Sequence, residues 1–377
     1  MSGRGLEGVV AAETALSRVM GDEGRLLYGG YEIDDLARNA SFEEICHLLW
    51  YGDLPTRSQL DALRTRLAGE LAVPGGILDV IRVAPPGAHP MAVLRTAMSA
   101  LAFFDPDVED NSAEANERKA VRLTAQALTV TAAIDRIRNG RDAIAPRDDL
   151  GLAANLLFML RGEAPDELEM RIIDVALTLH AEHGMNASTF AARVAAGTLA
   201  DMHGAITAAV ATLKGPLHGG ANERVMRMLE QIGQPENAGE WIRDALGRGE
   251  KIMGFGHRVY RTLDPRAPIL KDLAEQLART GGDNRWLDIS ERVQVTMREE
   301  MDRRGKKVYP NVDFFSASVY YTMGIPTDLF TNLFACARMA GWTAHVREQH
   351  ADNRLIRPKA AYTGPADRKV IPIEERG

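Results

Sequence analysis

The sequence predicts a mainly α-helical protein. Apolar residues recur at helical spacing along most of the 377 residues, and long runs of β-branched residues are absent. The chain also contains no internal repeat or low-complexity tract. We therefore expect a helix content well above the roughly one-third that is usual in globular proteins. A chain of this length can bury a sizeable core without disulfide bonds or metal ions.

The first predicted elements are a small β-hairpin and a capped helix. Short apolar runs flank residues 21–24 (Gly-Asp-Glu-Gly), a composition typical of a turn between two strands. Ser41 and Glu44 have the spacing of a capping box, so a helix should begin at this point. Further helices with an apolar face are predicted from Ser58, over 91–104 and over 166–180.

Two glycine-rich segments interrupt the helical pattern after a stretch, 187–213, whose many Ala, Gly and Thr residues predict closely packed helices. They are residues 214–222 (KGPLHGGAN) and residues 253–258 (MGFGHR). Glycine loses much conformational entropy on folding, so such loops usually occur where the backbone must approach a ligand closely. His218 and His257 lie in these loops. A role in proton transfer or oxyanion stabilisation competes there with simple capping of a helix.

The charge distribution is uneven. The net charge of −7 argues against a general nucleic-acid binder, which needs Lys and Arg to neutralise phosphates. Basic residues are nevertheless in excess in segments 251–271, 303–307 and 354–377. A solvated face is the default explanation of such runs. Arginines near glycine loops also suit a di- or tricarboxylate or a phosphorylated cofactor, because guanidinium pairs with carboxylate through two hydrogen bonds.

The cysteines and the amino terminus predict the compartment. Cys46 and Cys336 each stand alone in an apolar stretch, which predicts buried thiols rather than a disulfide framework or a zinc site. The first ten residues lack the apolar core of a signal peptide, and no run is long enough to span a membrane. We expect a soluble, cytoplasmic protein.

Two further groups of residues suggest chemistry. His180, Glu182 and His183 come close together at the end of a predicted helix. A zinc site is possible in principle, but without an HExxH motif or a third ligand we favour ring N–H groups directed at a polar ligand. Asp313 stands between a proline turn and two phenylalanines. Desolvation there would make it a stronger base, although capping of the next helix is an equal alternative.

Three segments together resemble the active-site segments of the citrate synthase family. They are KGPLHGGANERV, IMGFGHRVYRTLDPR and YPNVDFFS, in the family's order and roughly its spacing. The likeness runs from LEGVVAAETALSRV to RLIRPKA, which is essentially the whole chain, and the length resembles the short bacterial and archaeal type. The resemblance implies condensation of acetyl-CoA with oxaloacetate and hydrolysis of citryl-CoA to citrate and CoA.

The resemblance also implies roles for individual residues. Asp313 would remove a methyl proton from acetyl-CoA, His218 would hydrogen-bond the thioester oxygen, and His257 would polarise and protonate the keto group of oxaloacetate. The implied oxaloacetate ligands are His183, Arg266, Arg338 and, from the neighbouring subunit of a homodimer, Arg357. The implied CoA contacts are Lys251, Ile252, Met253, Gly254, Phe255, Lys306 and Asn311. The family implies no metal ion and no cofactor besides the CoA substrate.

The family architecture implies a large helical domain, 1–220 and 324–377, with a small helical domain, 221–323, inserted in it. The two would close over oxaloacetate and exclude water before CoA reacts. Three positions depart from the family pattern. Gly29 replaces an arginine common in relatives and leaves the early hairpin uncertain. Gly184 replaces an acid, and His203, which we interpret as pocket wall or core, replaces an aromatic residue.

Alternative functions remain open at this point. A 2-methylcitrate synthase has the same fold and catalytic residues but prefers propionyl-CoA, and one methylene changes discrimination by only about 1–3 kcal/mol. A non-catalytic CoA- or carboxylate-binding module is disfavoured because His218, His257 and Asp313 are all present. A metal-dependent hydrolase would have to use His180 and His183.

Overall fold

The structure is mainly helical, as the sequence predicts. The computed structural model describes residues 4–6, 8–257, 259–280 and 284–376, so Arg258 of the second glycine-rich motif lies outside the described residues. Within these ranges the chain forms sixteen α-helices and one small sheet.

The first part of the chain forms the sheet. Strands β1 (Ser17–Met20), β2 (Arg25–Tyr28) and β3 (Tyr31–Glu32) are antiparallel and follow sequence order, with Ser17 opposite Tyr28. The predicted hairpin is therefore confirmed. Eight helices follow: α1 (Ile33–Asn39), α2 (Phe42–Tyr51), α3 (Arg57–Gly69), α4 (Gly75–Arg82), α5 (Pro90–Ala100), α6 (Ala113–Arg138), α7 (Leu152–Arg161) and α8 (Glu167–His180).

The second part of the chain forms eight further helices and an exposed tail. The helices are α9 (Ala187–Ala196), α10 (Met202–Leu213), α11 (Ala221–Ile232), α12 (Ala238–Gly247), α13 (Ala267–Arg279), α14 (Arg285–Arg303), α15 (Val312–Thr322) and α16 (Phe330–Ala351). In the tail, residues 352–376, every side chain but a half-buried Ile356 is exposed.

Local signals set the helix starts. The capping box of Ser41 and Glu44 begins α2, and α8 begins after a second box that Asp166 forms with Glu169. Helix α3 begins at Arg57, one residue before the prediction, because Thr56 is its cap. The helical period over 91–104 corresponds to α5 followed by a 3-10 turn, Leu101–Phe104.

Helix α16 lies at the centre of the core. It is buried from Phe330 to Val346 and packs against α6, α8, α9 and α10. Helices α9 and α10 also pack closely on each other, as their small residues predict. Both cysteines are buried thiols. Within the described ranges, each helix is either too short or too polar to span a bilayer.

Helices α11 to α15 pack mainly on one another. They lie in the chain between α10 and α16, and they meet the rest of the core where α11 contacts α16 and α13 contacts α8. The boundaries 1–220, 221–323 and 324–377 stay a prediction. The two glycine-rich segments precede α11 and α13, so they lie at the borders of this group of helices.

Candidate active site

His218 is held in the loop between α10 and α11. The N–H of Gly219 donates to the Leu213 carbonyl (2.8 Å), and a Cβ at Gly219 would overlap that oxygen. His218 Nε2 lies 2.8 Å from Ser188 Oγ at the start of α9. Ser188 Oγ in turn accepts a hydrogen bond from Trp342 Nε1 of α16 (3.1 Å). The loop, α9 and α16 together therefore hold the His218 ring in place.

The hydrogen bonds of His218 define its protonation. The backbone N–H of Ser188, which is shared with Asn186 Oδ1 (3.1 Å), donates to Nε2 (3.3 Å), and an amide N–H cannot accept. We therefore assign the proton of the neutral ring to Nδ1, which is left to donate to a ligand. Burial, aided by the charge of Arg338, lowers the pKa of His218 to about 4, so the ring is neutral near pH 7.

His257 has the opposite tautomer. Its Nδ1 accepts hydrogen bonds from the backbone N–H groups of Val259 (3.0 Å) and Tyr260 (3.1 Å), which leaves the proton on Nε2. Burial and the charge of Arg266 lower the pKa of His257 to about 4. The ring therefore offers a neutral N–H donor.

His183 lies beside His257, as the predicted site requires. Their ring centroids are 5.2 Å apart, and His183 Nε2 is 3.3 Å from the hydroxyl of Tyr260. Burial lowers the pKa of His183 well below its ordinary value, with Arg266 contributing. The structure thus brings two neutral imidazoles and a tyrosine hydroxyl to one place.

Two of the predicted oxaloacetate ligands are buried guanidinium groups. Arg266 is 3% exposed and forms a two-point ion pair with Asp264, at 3.0 and 2.8 Å. Arg338 is 1% exposed, and its Nε donates to the His180 carbonyl (2.6 Å). It forms no ion pair with any residue the structure describes. Burial lowers the pKa of Arg338 to about 10, a sign of how costly this charge is without an anion beside it.

Asp313 lies in the first turn of α15 and is not its cap. Asn311 is the cap, because its Oδ1 accepts the N–H of Asp313 (3.1 Å). Within the described part of the chain, the Asp313 carboxylate has no hydrogen-bond or ion-pair partner. Burial raises the pKa of Asp313 to about 6, although Arg266 and Arg338 oppose the shift. The capping alternative is wrong, and the carboxylate has the environment of a base.

The predicted CoA loop packs directly on the Asp313 segment. Gly256 N–H donates to the Tyr309 carbonyl (2.9 Å), Asn311 N–H donates to the Gly254 carbonyl (2.9 Å), and Asn311 Nδ2 donates to the Gly256 carbonyl (3.0 Å). Gly254 has a φ of +77°, and a Cβ there would lie 2.7 Å from the Phe314 ring. This close approach sets Phe255 edge-on to Phe314, with ring centroids 4.7 Å apart.

The other predicted CoA residues and Arg357 are less constrained. Ile252 and Gly254 are buried, and Met253 and Phe255 are half-buried. The side chains of Lys251 and Lys306 are exposed and form no ion pair within the described ranges. Arg357 lies in the exposed tail and has no side-chain partner among the described residues, so the structure does not bring it to the other site residues.

His180 differs from the prediction. Its Nδ1 donates to the Ala176 carbonyl of its own helix (2.7 Å), so its N–H does not point at a ligand. In the described part of the chain, no three His, Cys, Asp or Glu side chains form a group that could hold a metal ion. His203 is 1% exposed and lies 3.2 Å from Asp105, as expected of a core position.

Sequence reasoning missed three residues that orient the site. Ser188 fixes His218, Tyr260 contacts His183, and Asp264 pairs with Arg266. Ser188 and Tyr260 stand inside the segments LHAEHGMNAS and IMGFGHRVYRTLDPR, so proximity to a motif was the available signal. Their partners are far away in the chain, and only the fold identifies them.

Known proteins resemble this chain along nearly its whole length. The family model described as citrate synthase, C-terminal domain, matches residues 5–359. The chain is 50% identical over 374 residues to citrate synthase 2 of Bacillus subtilis, covering 99% of each chain. It is 44% identical over 377 residues to 2-methylcitrate synthase of Shewanella oneidensis, covering 100% of this chain and 98% of that one.

Solved structures agree in fold. Citrate synthase from Pyrobaculum aerophilum superposes with a TM-score of 0.93 at 41% identity, covering 99% of this chain and 95% of that one. A ternary complex of citrate synthase from Thermoplasma acidophilum with carboxymethyl coenzyme A and oxaloacetate superposes with a TM-score of 0.92 at 35% identity, covering 99% of each chain.

Proposed function

The chain belongs to the citrate synthase family and is an enzyme of the acyltransferase type, and from this premise we propose that it condenses acetyl-CoA with oxaloacetate and releases citrate and CoA. The observation that carries this proposal is Arg338, which is buried and has no ion-pair partner among the described residues. Its charge acts on His183, His218 and Asp313, so an anion bound to this guanidinium would lie near all three predicted groups.

In the first proposed step, Asp313 removes a proton from the methyl group of acetyl-CoA. The raised pKa of Asp313, about 6, makes it a better base than an ordinary carboxylate and still leaves it ionised at pH 7. The electron pair of the broken C–H bond moves toward the thioester oxygen. Nδ1–H of His218 stabilises the charge there, and Ser188 holds the ring in the required orientation.

In the second proposed step, the new carbon nucleophile attacks the keto carbon of oxaloacetate. A C–C bond forms, and the carbonyl π electrons move to the keto oxygen, which takes the proton from Nε2 of His257. The backbone bonds to Nδ1 hold that N–H in place. Asp313 then releases the methyl proton to solvent and His257 regains a proton from solvent, which restores both groups. Water adds to the thioester carbonyl, the C–S bond breaks, one proton of the water goes to the sulfur, and CoA leaves as the thiol.

The oxaloacetate carboxylates would be held by the arginines and His183. Arg338 offers Nη1 and Nη2, which form no hydrogen bond within the described part of the chain, whereas its Nε is bound to the His180 carbonyl. Asp264 occupies Nε and Nη2 of Arg266, which leaves Nη1 with only a long contact to the Leu179 carbonyl (3.5 Å) and free to bind a ligand. Side chains alone supply the base, the acid and the oxyanion donor, so we propose a reaction without a metal ion or cofactor.

We propose a homodimer in which Arg357 completes the partner's site. In support, Arg357 lies in an exposed tail and has no partner among the described residues of its own chain. Helix α10 also presents Gly204 and Ala211 to the surface, and small residues let two helices approach closely. A cytoplasmic location is proposed as well, in line with two buried thiols.

The experiment that tests the function is an acyl-CoA panel with oxaloacetate. We expect kcat/KM, measured by release of free CoA thiol, to be higher for acetyl-CoA than for propionyl-CoA. A preference for propionyl-CoA would instead assign the 2-methylcitrate synthase activity, which the relative from Shewanella oneidensis makes the second candidate. Release of no thiol from any member of the panel would refute both.

A further inference from the structure

The turn of the β1–β2 hairpin, residues 21–24, contacts the segment that follows His257. The N–H of Arg261 donates to the Gly21 carbonyl (3.1 Å), and Asp22 lies 3.2 Å from the Arg261 guanidinium. That ion pair is more than four-fifths exposed on both sides and contributes little by itself. The backbone hydrogen bond is the specific contact.

Two glycines of this turn have no room for a side chain. A Cβ at Gly21 would overlap the carbonyl oxygen of Val259. Gly24 has a φ of +65°, and a Cβ there would lie 2.8 Å from a Thr262 methyl group and 2.9 Å from the Leu263 oxygen. The hairpin turn therefore fits against residues 259–263 backbone to backbone, a closeness that only glycine permits.

The contacted segment is the one that orients His257. The N–H groups of Val259 and Tyr260 both donate to His257 Nδ1, and Val259 is the residue against which Gly21 packs. A shift of this backbone moves both donors and with them the ring. The position of the hairpin turn therefore affects the position of His257 Nε2, because two hydrogen bonds join the ring to the backbone that the turn contacts.

The other end of β1 contacts the residues on either side of His183. Ser17 Oγ accepts the N–H of Gly184 (3.1 Å), the residue after His183, and Ser17 donates to Glu182 (2.9 Å). A four-residue strand therefore spans from the His183 segment to the His257 segment. The hairpin turn also belongs to the predicted large domain and residues 259–263 to the predicted small one, so this contact crosses the predicted boundary.

We propose that the hairpin turn holds residues 259–263 where His257 can polarise the keto group of oxaloacetate, and that Gly21 is a positioning residue for the reaction. This inference rests on the proposed role of His257. Gly21 acts through the backbone of Val259 and Arg261. Catalytic groups tolerate little displacement, since a shift of about 1 Å can cost on the order of 100-fold in rate.

The first test is Gly21→Ala in the full-length protein. We expect kcat/KM for oxaloacetate to fall roughly 10- to 100-fold, while KM for acetyl-CoA changes little. Amide hydrogen exchange, with oxaloacetate present and CoA absent, should show that the Arg261 N–H is protected in the wild type and exposed in the variant. This readout needs no turnover. A wild type that fails to condense would refute the proposed function, whereas the exchange measurement would still test the contact.

The matched test compares Gly24→Ala with Gly30→Ala. Both put alanine at a positive φ in a turn of the same sheet, +65° and +92°, but a Cβ at Gly30 meets nothing within 4 Å. Each should lower the midpoint of denaturant unfolding, because alanine is strained at a positive φ. Only Gly24→Ala should lower kcat/KM for oxaloacetate. Equal losses of kcat/KM in both variants, or wild-type kinetics and Arg261 protection in Gly21→Ala, would overturn the proposal.

Discussion

At the scale of single residues, burial of Asp313 disfavours its ionised form and at the same time makes it a stronger base. Burial raises its pKa to about 6 from the 3.8 of an ordinary aspartate, so the ionised form is disfavoured in the folded protein. The two histidines are shifted the other way, and burial is again the largest cause. The site therefore holds one carboxylate that accepts a proton readily and two neutral rings that donate hydrogen bonds.

The pH profile should report Asp313 alone. Below about pH 6 its carboxyl keeps the proton and cannot act as the base, so kcat/KM should fall tenfold per pH unit on the acid side of about 6. His218 and His257, with pKa values of about 4, stay neutral over pH 5–8 and add no limb there. An acid limb near pH 4 would contradict the assignment.

Asp313→Asn should change activity and stability in opposite directions. Loss of the base should lower kcat by about 10²–10⁴-fold with oxaloacetate binding, measured by calorimetry, nearly intact. The folded-state pKa lies above the unfolded one, so ionisation costs stability above about pH 6 and nothing below pH 3.8.

The variant should therefore gain up to about 3 kcal/mol of unfolding free energy at pH 7, and no gain at pH 3.5. Denaturant titrations at the two pH values measure this difference. Asp302→Asn, at an exposed carboxyl of α14, serves as the control. Survival of turnover in Asp313→Asn would place the base elsewhere.

At the scale of elements, a buried polar network joins β1, the end of α8, and α16. Glu182 and His345 are both fully buried, with Glu182 Oε1 3.1 Å from His345 Nε2. Nη1 of Arg193 in α9 donates to His345 Nδ1 (3.1 Å), which assigns the ring proton to Nε2 and directs it at Glu182. The segment that carries His183 is thereby tied to the central helix.

Removing the imidazole of His345 should strongly destabilise the folded protein, because the buried Glu182 carboxylate then loses the Nε2–H donor. We expect His345→Leu to lose about 3–5 kcal/mol of unfolding free energy. His345→Gln, whose amide can replace the Nε2 donor, should lose much less. Glu23→Gln, which breaks a half-exposed pair with Arg25, should cost under about 1 kcal/mol. Equal effects of the two His345 variants in denaturant titrations would contradict this account of the network.

At the scale of the whole molecule, the tail and the proposed dimer matter most. The tail is exposed along nearly its whole length and contains Arg357. From this exposed tail, Arg357 can complete an active site only in another copy of the chain, or in its own chain after the tail moves. The two possibilities make different predictions for mixed dimers.

Mixing Arg357→Ala with Asp313→Asn distinguishes them. Each variant alone should be nearly inactive. A hybrid dimer would contain one site with both an intact Asp313 and the partner's intact Arg357, so random mixing should restore about a quarter of wild-type activity. The measurement is turnover after joint unfolding and refolding of the two variants. No recovery from two inactive variants would mean that Arg357 acts within its own chain, and full activity of Arg357→Ala alone would mean that it has no role.

Much of the fold was predictable because its signals are local. The capping boxes at Ser41 and Asp166 and the apolar periodicity of α8 depend on residues within four positions of one another. Helix α3 shows the limit of such local signals. Thr56 caps it, so the helix begins one residue before the predicted start at Ser58. The loops that carry His218 and His257 were equally predictable, because a cluster of glycines is itself a local signal.

The sequence by itself determined the helical class and the hairpin, and it predicted which histidines and which aspartate carry chemistry, because these follow from spacing along the chain and from resemblance to a family. Only the tertiary structure decided how each group is oriented. Ser188 contacts His218, which lies 30 positions away in the sequence, and Gly21 contacts Val259, which most of the chain separates from it. Contacts of this kind depend on the packing of the whole core, which no local pattern of residues records.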